Sequence, residues 1–147
     1  MDWTYPKPFT YSLSVQESDI DGLNHTNNTC YVKWCESVAW RHSSALGLTI
    51  DDYHRLDKGM ALHKAEYEYF LPSHAKEELV VATWLVHSDK KLRLERHFQI
   101  NNTRSGDCIM KAKWWLICVT LSTGKATRFP KEFLASYSDH SFPIGEI

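Results

Sequence analysis

Ten residues near the start of the chain, from Asp19 to Asn28, combine two carboxylates, a histidine and three asparagines directly before a segment with helical spacing. The first turn of a helix carries unpaired backbone N–H groups and a partial positive charge. Such an end can stabilise a developing oxyanion while a neighbouring carboxylate attacks a carbonyl carbon or activates water. The pattern therefore favours acyl transfer or hydrolysis. An Asx-rich turn that only caps the helix accounts for the same residue types.

The segment after these residues predicts a long helix from about Asn27 to Leu46. Thr26 or Asn27 can serve as its N-cap, and Gly47 suits its C-terminal end. Apolar side chains recur at the spacing of one buried helix face. They are Tyr31, Trp34, Cys35, Val38, Ala45 and Leu46.

The rest of the chain is rich in strand-like segments joined mostly by short turns. A short helical segment is expected within Leu48–Asp57, a second helix from Pro130 through Tyr137, and an irregular tail over Phe142–Gly145. One long helix and one antiparallel sheet predict a single α+β domain over residues 1–147. The predicted strands are Phe9–Val15, Met60–Leu71, Leu79–His87, Lys91–Ile100 and Cys108–Leu121.

Composition argues against several classes of function. The net charge is −1 and no long basic run occurs, which disfavours general nucleic-acid binding. No stretch approaches the roughly 18 apolar residues of a membrane span, and the first residues lack the features of a signal peptide. We therefore expect a cytoplasmic protein with reduced thiols and no membrane partner. The eight histidines and four cysteines form no metal-ligand spacing, so no metal site is predicted.

The loop before the long helix resembles the acyl-CoA thioesterases of the hotdog fold, of the 4-hydroxybenzoyl-CoA thioesterase type. Weaker landmarks of that family follow in the expected order at Tyr67–Ser73, Glu77–Val81 and Thr123–Pro130, so the resemblance extends over roughly residues 9 to 137. The first motif has the form D-x-D-x-x-x-H-x-N-N-x-x-Y. Its residues here are Asp19, Asp21, His25, Asn27, Asn28 and Tyr31.

The resemblance implies a long central helix wrapped by a five-stranded antiparallel sheet, in chains that assemble as homodimers or homotetramers. It implies that Asp21 is the catalytic carboxylate, either as a nucleophile or as a general base for water. Asp19 is the nearby alternative. The backbone N–H of Asn28 would polarise the thioester carbonyl. Asn24 stands where many relatives have glycine, and asparagine tolerates the left-handed conformation that such a turn needs.

The remaining site residues follow from their positions around this motif. His25 is placed with the catalytic residues, where it would shape the loop or contact the substrate, and the alternative is a turn residue that bonds to backbone. Asn27 would also shape the loop or contact the substrate, and Tyr31 and Trp34 would line the acyl pocket or pack in the core. We expect Glu36, on the helix, to be an ion-pair residue. Adjacent Trp114 and Trp115 must point to opposite faces of the sheet. Coenzyme A phosphates need cations, and the densest basic cluster is Lys90, Lys91, Arg93 and Arg96.

Three functions fit these observations. The first is hydrolysis of an acyl-CoA to free acid and CoA without a cofactor, since coenzyme A is part of the substrate. The second is a hotdog hydratase or dehydratase, which commonly uses a histidine with an acid on the helix. The third is a non-catalytic acyl-CoA binding protein. The many aromatic residues suit a fatty, an aryl or a betaine-like acyl group, and the thiol carrier could be CoA or acyl carrier protein.

Overall fold

The computed structural model describes residues 1–143, in which five strands form one antiparallel sheet. The strand order across the sheet is β1-β3-β4-β5-β2, so β1 and β2 lie at its two edges. The predicted α+β architecture is confirmed. The strands are β1 (Phe9–Ser14), β2 (Lys58–Tyr69), β3 (Glu78–Val86), β4 (Arg93–Asn102) and β5 (Cys108–Thr120), and the helices are α1 (Asn28–Ala45), α2 (Ile50–Leu56) and α3 (Lys131–Ser136).

The long helix α1 packs against one face of the sheet. Its buried residues include Tyr31, Cys35 and Val38, on the face that the apolar spacing predicts. Asn27 is the N-cap, and Gly47 follows the last turn with φ of 96°. Ala45, which was predicted on the same face, is exposed because it lies in the last turn of the helix. The bounds and the rest of the buried face were predictable from local sequence.

The sheet contributes a row of large side chains to the same core. Phe98 on β4 and Trp114 on β5 meet edge to face with 4.7 Å between ring centroids, a favourable arrangement for aromatic rings. Trp114 is buried against the helix side, whereas its neighbour Trp115 lies half-buried on the other face with the Lys64 ammonium 4.9 Å from its ring. The alternation of these two tryptophans is confirmed.

The opposite face of the sheet is covered by both ends of the described chain. Trp3, Tyr5 and Phe142 pack on Trp84 of β3. Phe142 also forms a parallel bridge with Val86, so the expectation of an irregular tail is wrong at that residue, because the aromatic side chain is held in the Trp84 cluster. Positions 144 and 145 of the predicted tail lie outside the described residues. No helix in the described part of the chain is long and apolar enough to cross a membrane.

Candidate active site

The acid-rich loop folds back on itself just before α1. The backbone N–H of Asp21 donates to the carbonyl of His25 (2.8 Å), and the N–H of Asn24 donates to the carbonyl of Asp21 (3.0 Å). Asn24 has φ of 64°, so the left-handed conformation predicted for it is confirmed. These bonds fix the backbone within the loop, and the N–H of the N-cap Asn27 donates to the carbonyl of Asp19 (2.7 Å), which connects the loop to the start of the helix.

The carboxylate of Asp21 is half-buried and only partly satisfied. Its Oδ1 accepts hydrogen bonds from the backbone N–H groups of Leu23 (2.9 Å) and His25 (3.4 Å). Its Oδ2 has no hydrogen-bond partner among residues 1–143. One oxygen therefore holds the turn, and the other remains available to a substrate. Asp21 can therefore hold the Asx-rich turn with one oxygen and react with a substrate through the other.

The first turn of α1 keeps one backbone donor without an acceptor among the described residues, seven positions after Asp21 in the chain. The Asn27 side chain accepts from the backbone N–H of Thr29 (3.0 Å), and the Asn27 carbonyl accepts from the N–H of Cys30 (2.9 Å). The N–H of Asn28 has no acceptor within the described residues. A free N–H at the positive end of a long helix is suited to an oxyanion.

A buried hydroxyl cluster anchors the loop to the segment between β2 and β3. Ser73 Oγ lies 2.7 Å from Tyr31 Oη and 2.6 Å from Thr26 Oγ1, and the backbone N–H of Thr26 donates to the Ser73 carbonyl (2.9 Å). All three side chains are at most 3% exposed. Burial raises the pKa of Tyr31, so its hydroxyl stays protonated. In the sequence Ser73 is only the last residue of the landmark Tyr67–Ser73, and no local pattern indicates this hydrogen-bonding role.

His25 lies beside a second histidine. The rings of His25 and His74 meet edge to face with 5.2 Å between centroids. Glu77 Oε1 accepts from the backbone N–H of His74 (2.7 Å) and lies 2.6 Å from His74 Nδ1. His74 thus forms part of the surroundings of the loop, and no sequence motif indicated it.

Comparison with known proteins identifies the family. The model of the thioesterase-like superfamily matches residues 15–136. The chain belongs to the thioesterase-like superfamily. No curated protein matches the chain significantly.

Solved structures share the fold of this thioesterase-like chain at low sequence identity. A 1,4-dihydroxy-2-naphthoyl-CoA thioesterase from Synechocystis superposes with a TM-score of 0.81 at 20% identity, over 90% of this chain and 97% of that one. A hypothetical protein from Staphylococcus aureus, solved in complex with CoA, gives 0.82 at 18% identity, over 96% and 90%. A DHNA-CoA thioesterase from the same organism gives 0.80 at 19% identity, over 90% and 89%. These likenesses establish the hotdog fold.

The other predicted site residues of this thioesterase-like chain divide into two groups. Asn27 is exposed beside the Asn28 N–H, and Trp34 is half-buried with its ring 5.4 Å from that of Tyr31. The predicted CoA-binding residues Lys90, Lys91 and Arg93 are exposed at the turn from β3 to β4. The Asp21 loop contacts the segment that precedes β3, whereas Lys90, Lys91 and Arg93 come after the end of β3. The structure thus does not bring the two groups together within one chain.

Two expectations about charged residues are wrong. Arg96 does not belong to the exposed basic cluster, because it points to the helix side of β4 and is only 3% exposed. Its position in the strand, between inward-facing Leu94 and Phe98, dictates this burial. Glu36 forms no ion pair with any described residue. It lines a cavity that Arg96 also lines, between α1 and the sheet.

Proposed function

We propose that this protein hydrolyses an acyl-CoA thioester to the free acid and CoA, with Asp21 as the reacting carboxylate. One observation carries the proposal: within residues 1–143, a carboxylate oxygen of Asp21, in the loop that leads into α1, and the first N–H of that helix, on Asn28, both lack a hydrogen-bond partner. Membership in the thioesterase-like superfamily supports this chemistry.

The Asn28 N–H and the Asp21 carboxylate have different roles in breaking the thioester bond. The carbonyl oxygen of the substrate accepts a hydrogen bond from the Asn28 N–H, and the helix dipole stabilises the negative charge that develops there. Asp21 then either attacks the carbonyl carbon, expelling the CoA thiolate and leaving a mixed anhydride for water to hydrolyse, or removes a proton from the attacking water. The reaction requires no cofactor.

Substrate binding in this scheme involves the side chains near Asp21 and Asn28. His25, Asn27 and Trp34 lie on or near the helix start, where they would contact the acyl group or the thioester. Tyr31 takes a positioning role in this scheme, since its hydroxyl is buried against Ser73. A fold neighbour solved in complex with CoA supports CoA as the carrier.

We further propose that the chain acts as a homodimer or homotetramer. The strand β2 lies at an edge of the sheet, and an edge strand offers unpaired backbone groups to another chain. Leu62 near its middle and Phe70 and Leu71 just beyond its end are 45–51% exposed. A second copy that pairs along this edge would bury these side chains. It could also bring the partner's Lys90, Lys91 and Arg93 toward coenzyme A bound at this chain's helix.

Thiol release from a panel of acyl-CoAs tests the function. The panel contains short, medium and long straight chains, aryl groups and a betaine-like group, and light scattering reports the oligomeric state. Turnover of any member supports thioester hydrolysis and identifies the acyl class. If no member releases thiol, binding of the same panel by calorimetry distinguishes a non-catalytic acyl-CoA binder. Hydration of an enoyl-CoA, measured by loss of its absorbance, would instead indicate a hydratase.

A further inference from the structure

A cavity of about 110 Å³ lies between α1, α2 and the inner face of the sheet, toward the C-terminal half of α1. Its walls include Trp40, Tyr53, Leu94 and Trp114, and Arg96 lines it as well. An engineered cavity of about 150 Å³ is large enough to bind benzene, so this space can hold the end of an acyl group. Among the described residues that line the cavity Arg96 is the one cation, so its charge determines which kind of acyl end fits there.

The positive charge of Arg96 is buried, and no described residue supplies an anionic partner for it. Its Nη1 donates to His42 Nδ1 (2.8 Å) and to Thr83 Oγ1 (3.2 Å). No carboxylate oxygen of the described residues lies within 4.0 Å of its guanidinium, and Nε and Nη2 have no acceptor among them. A buried guanidinium is stabilised when a carboxylate accepts its parallel N–H groups.

The groups around Arg96 do not neutralise this charge. Burial, together with the nearby Arg96 charge, lowers the pKa of His42 from 6.5 to about 3, so the imidazole is neutral at physiological pH. Tyr53 Oη lies 2.5 Å from Tyr137 Oη, which lies 2.8 Å from Ser43 Oγ. Burial raises the pKa of both tyrosines, so their hydroxyls remain uncharged. The exposed Glu36 carboxylate is the anionic group in the cavity wall, and it makes no ion pair with Arg96.

We propose that this cavity is a subsite for a carboxylate at the distal end of the acyl group, bound by Arg96. The inference rests on the proposed function, because it assigns the acyl class of that same reaction. It favours thioesters of dicarboxylic acids over methyl-ended acyl groups. It disfavours betaine-like acyl groups, whose quaternary ammonium would face the buried guanidinium.

The length of α1 sets the length of the acyl chain. At about 1.5 Å of rise per residue, Glu36 lies about 12 Å along the helix from Asn28, and Ser43 lies about 22 Å along it. A thioester held at the Asn28 N–H of the same chain therefore needs a medium or long chain to reach Arg96. Dodecanedioyl-CoA, tetradecanedioyl-CoA and hexadecanedioyl-CoA form a suitable series, each matched to the methyl-ended ester of equal carbon number.

The decisive quantity is the ratio of kcat/KM for each carboxylate-ended ester to that of its methyl-ended match. We expect the unaltered protein to prefer at least one carboxylate-ended ester by about tenfold or more, as hydrogen bonds to a charged group allow. Arg96→Met should abolish this preference, and Arg96→Lys should retain part of it. Arg55→Met, which removes an exposed arginine paired with Asp52, should leave the ratio unchanged.

The outcomes separate this inference from the proposed function. Hydrolysis of methyl-ended esters with no preference for carboxylate-ended ones at any length would overturn the subsite and leave the hydrolase intact. If no ester is hydrolysed, calorimetry on the unaltered protein compares binding of the same pairs. Tighter binding of the carboxylate-ended ester would then support the subsite without the hydrolase, and equal binding would refute it. These comparisons need no variant, so they hold even if Arg96→Met fails to fold.

Discussion

Ser73 should contribute more to stability than either hydroxyl that contacts it. In Ser73→Ala the Tyr31 hydroxyl loses its 2.7 Å contact in a site that is 3% exposed, while Thr26 keeps a 3.2 Å bond to the residue 73 carbonyl. An unsatisfied buried hydroxyl costs about 1–3 kcal/mol, so we expect a loss of about 2 kcal/mol in the free energy of unfolding. Tyr31→Phe leaves the bond between Ser73 and Thr26 in place and should cost only about 1 kcal/mol.

The double variant gives the sharper test. Once Ser73 is alanine, Tyr31→Phe removes the very hydroxyl that has lost its partner. The second substitution should therefore be neutral or slightly stabilising in that background, although it destabilises the unaltered protein. Urea titration followed by tryptophan fluorescence measures all four free energies, at one protein concentration because association would shift them.

Additive effects of Ser73→Ala and Tyr31→Phe on the free energy of unfolding would refute this prediction. If Tyr31→Phe costs the same in both backgrounds, the two hydroxyls are not coupled and the cluster does not anchor the loop as described. Tyr11→Phe is the matched control, because Tyr11 is exposed and its hydroxyl forms no hydrogen bond within the described chain. That substitution should change the free energy of unfolding by less than about 0.5 kcal/mol.

Two further predictions concern His42 and Asn24. Burial lowers the pKa of His42 to about 3 in the folded chain. At pH values between about 3 and 6.5, His42 therefore binds a proton in the unfolded chain but not in the folded chain. Stability should fall as pH drops from about 6.5 toward 3, and His42→Gln should remove up to about 1.4 kcal/mol per pH unit of that slope in urea titrations; equal slopes would contradict this. At φ of 64°, Asn24→Gly should be nearly neutral, whereas Asn24→Ala should destabilise by about 1 kcal/mol; thermal unfolding that ranks the two in the reverse order would count against the turn geometry.

Local sequence patterns predicted most of the fold. The N-cap Asn27, the helix end at Gly47 and the left-handed Asn24 each depend on neighbouring residues, so their patterns were sufficient. Arg96 departs from the predicted exposed cluster because strand alternation puts it on the same face as Leu94 and Phe98, which is buried. A charged residue on an apolar strand face was the signal that could have identified the buried guanidinium.

Long-range contacts explain what the sequence did not reveal about the site. Ser73 meets Tyr31 across 42 positions of sequence, and no local pattern encodes that hydrogen bond. The pairing of His25 with His74 depends in the same way on how the loop docks against the segment before β3. Asp21 and Asn28 belong to one short motif, so the candidate chemistry was predictable, whereas the groups that hold the motif in place were not.

The catalytic role of Asp21 is tested most directly by the kcat/KM of Asp21→Asn on the best acyl-CoA of the panel, measured by thiol release beside Asp19→Asn. Asparagine preserves the Oδ1 acceptor that holds the turn but cannot act as a nucleophile or accept the proton of water. We expect a loss of at least about a hundredfold for Asp21→Asn, as for removal of a catalytic acid or base, and little loss for Asp19→Asn. Near-normal turnover by Asp21→Asn, or a greater loss in Asp19→Asn, would contradict it.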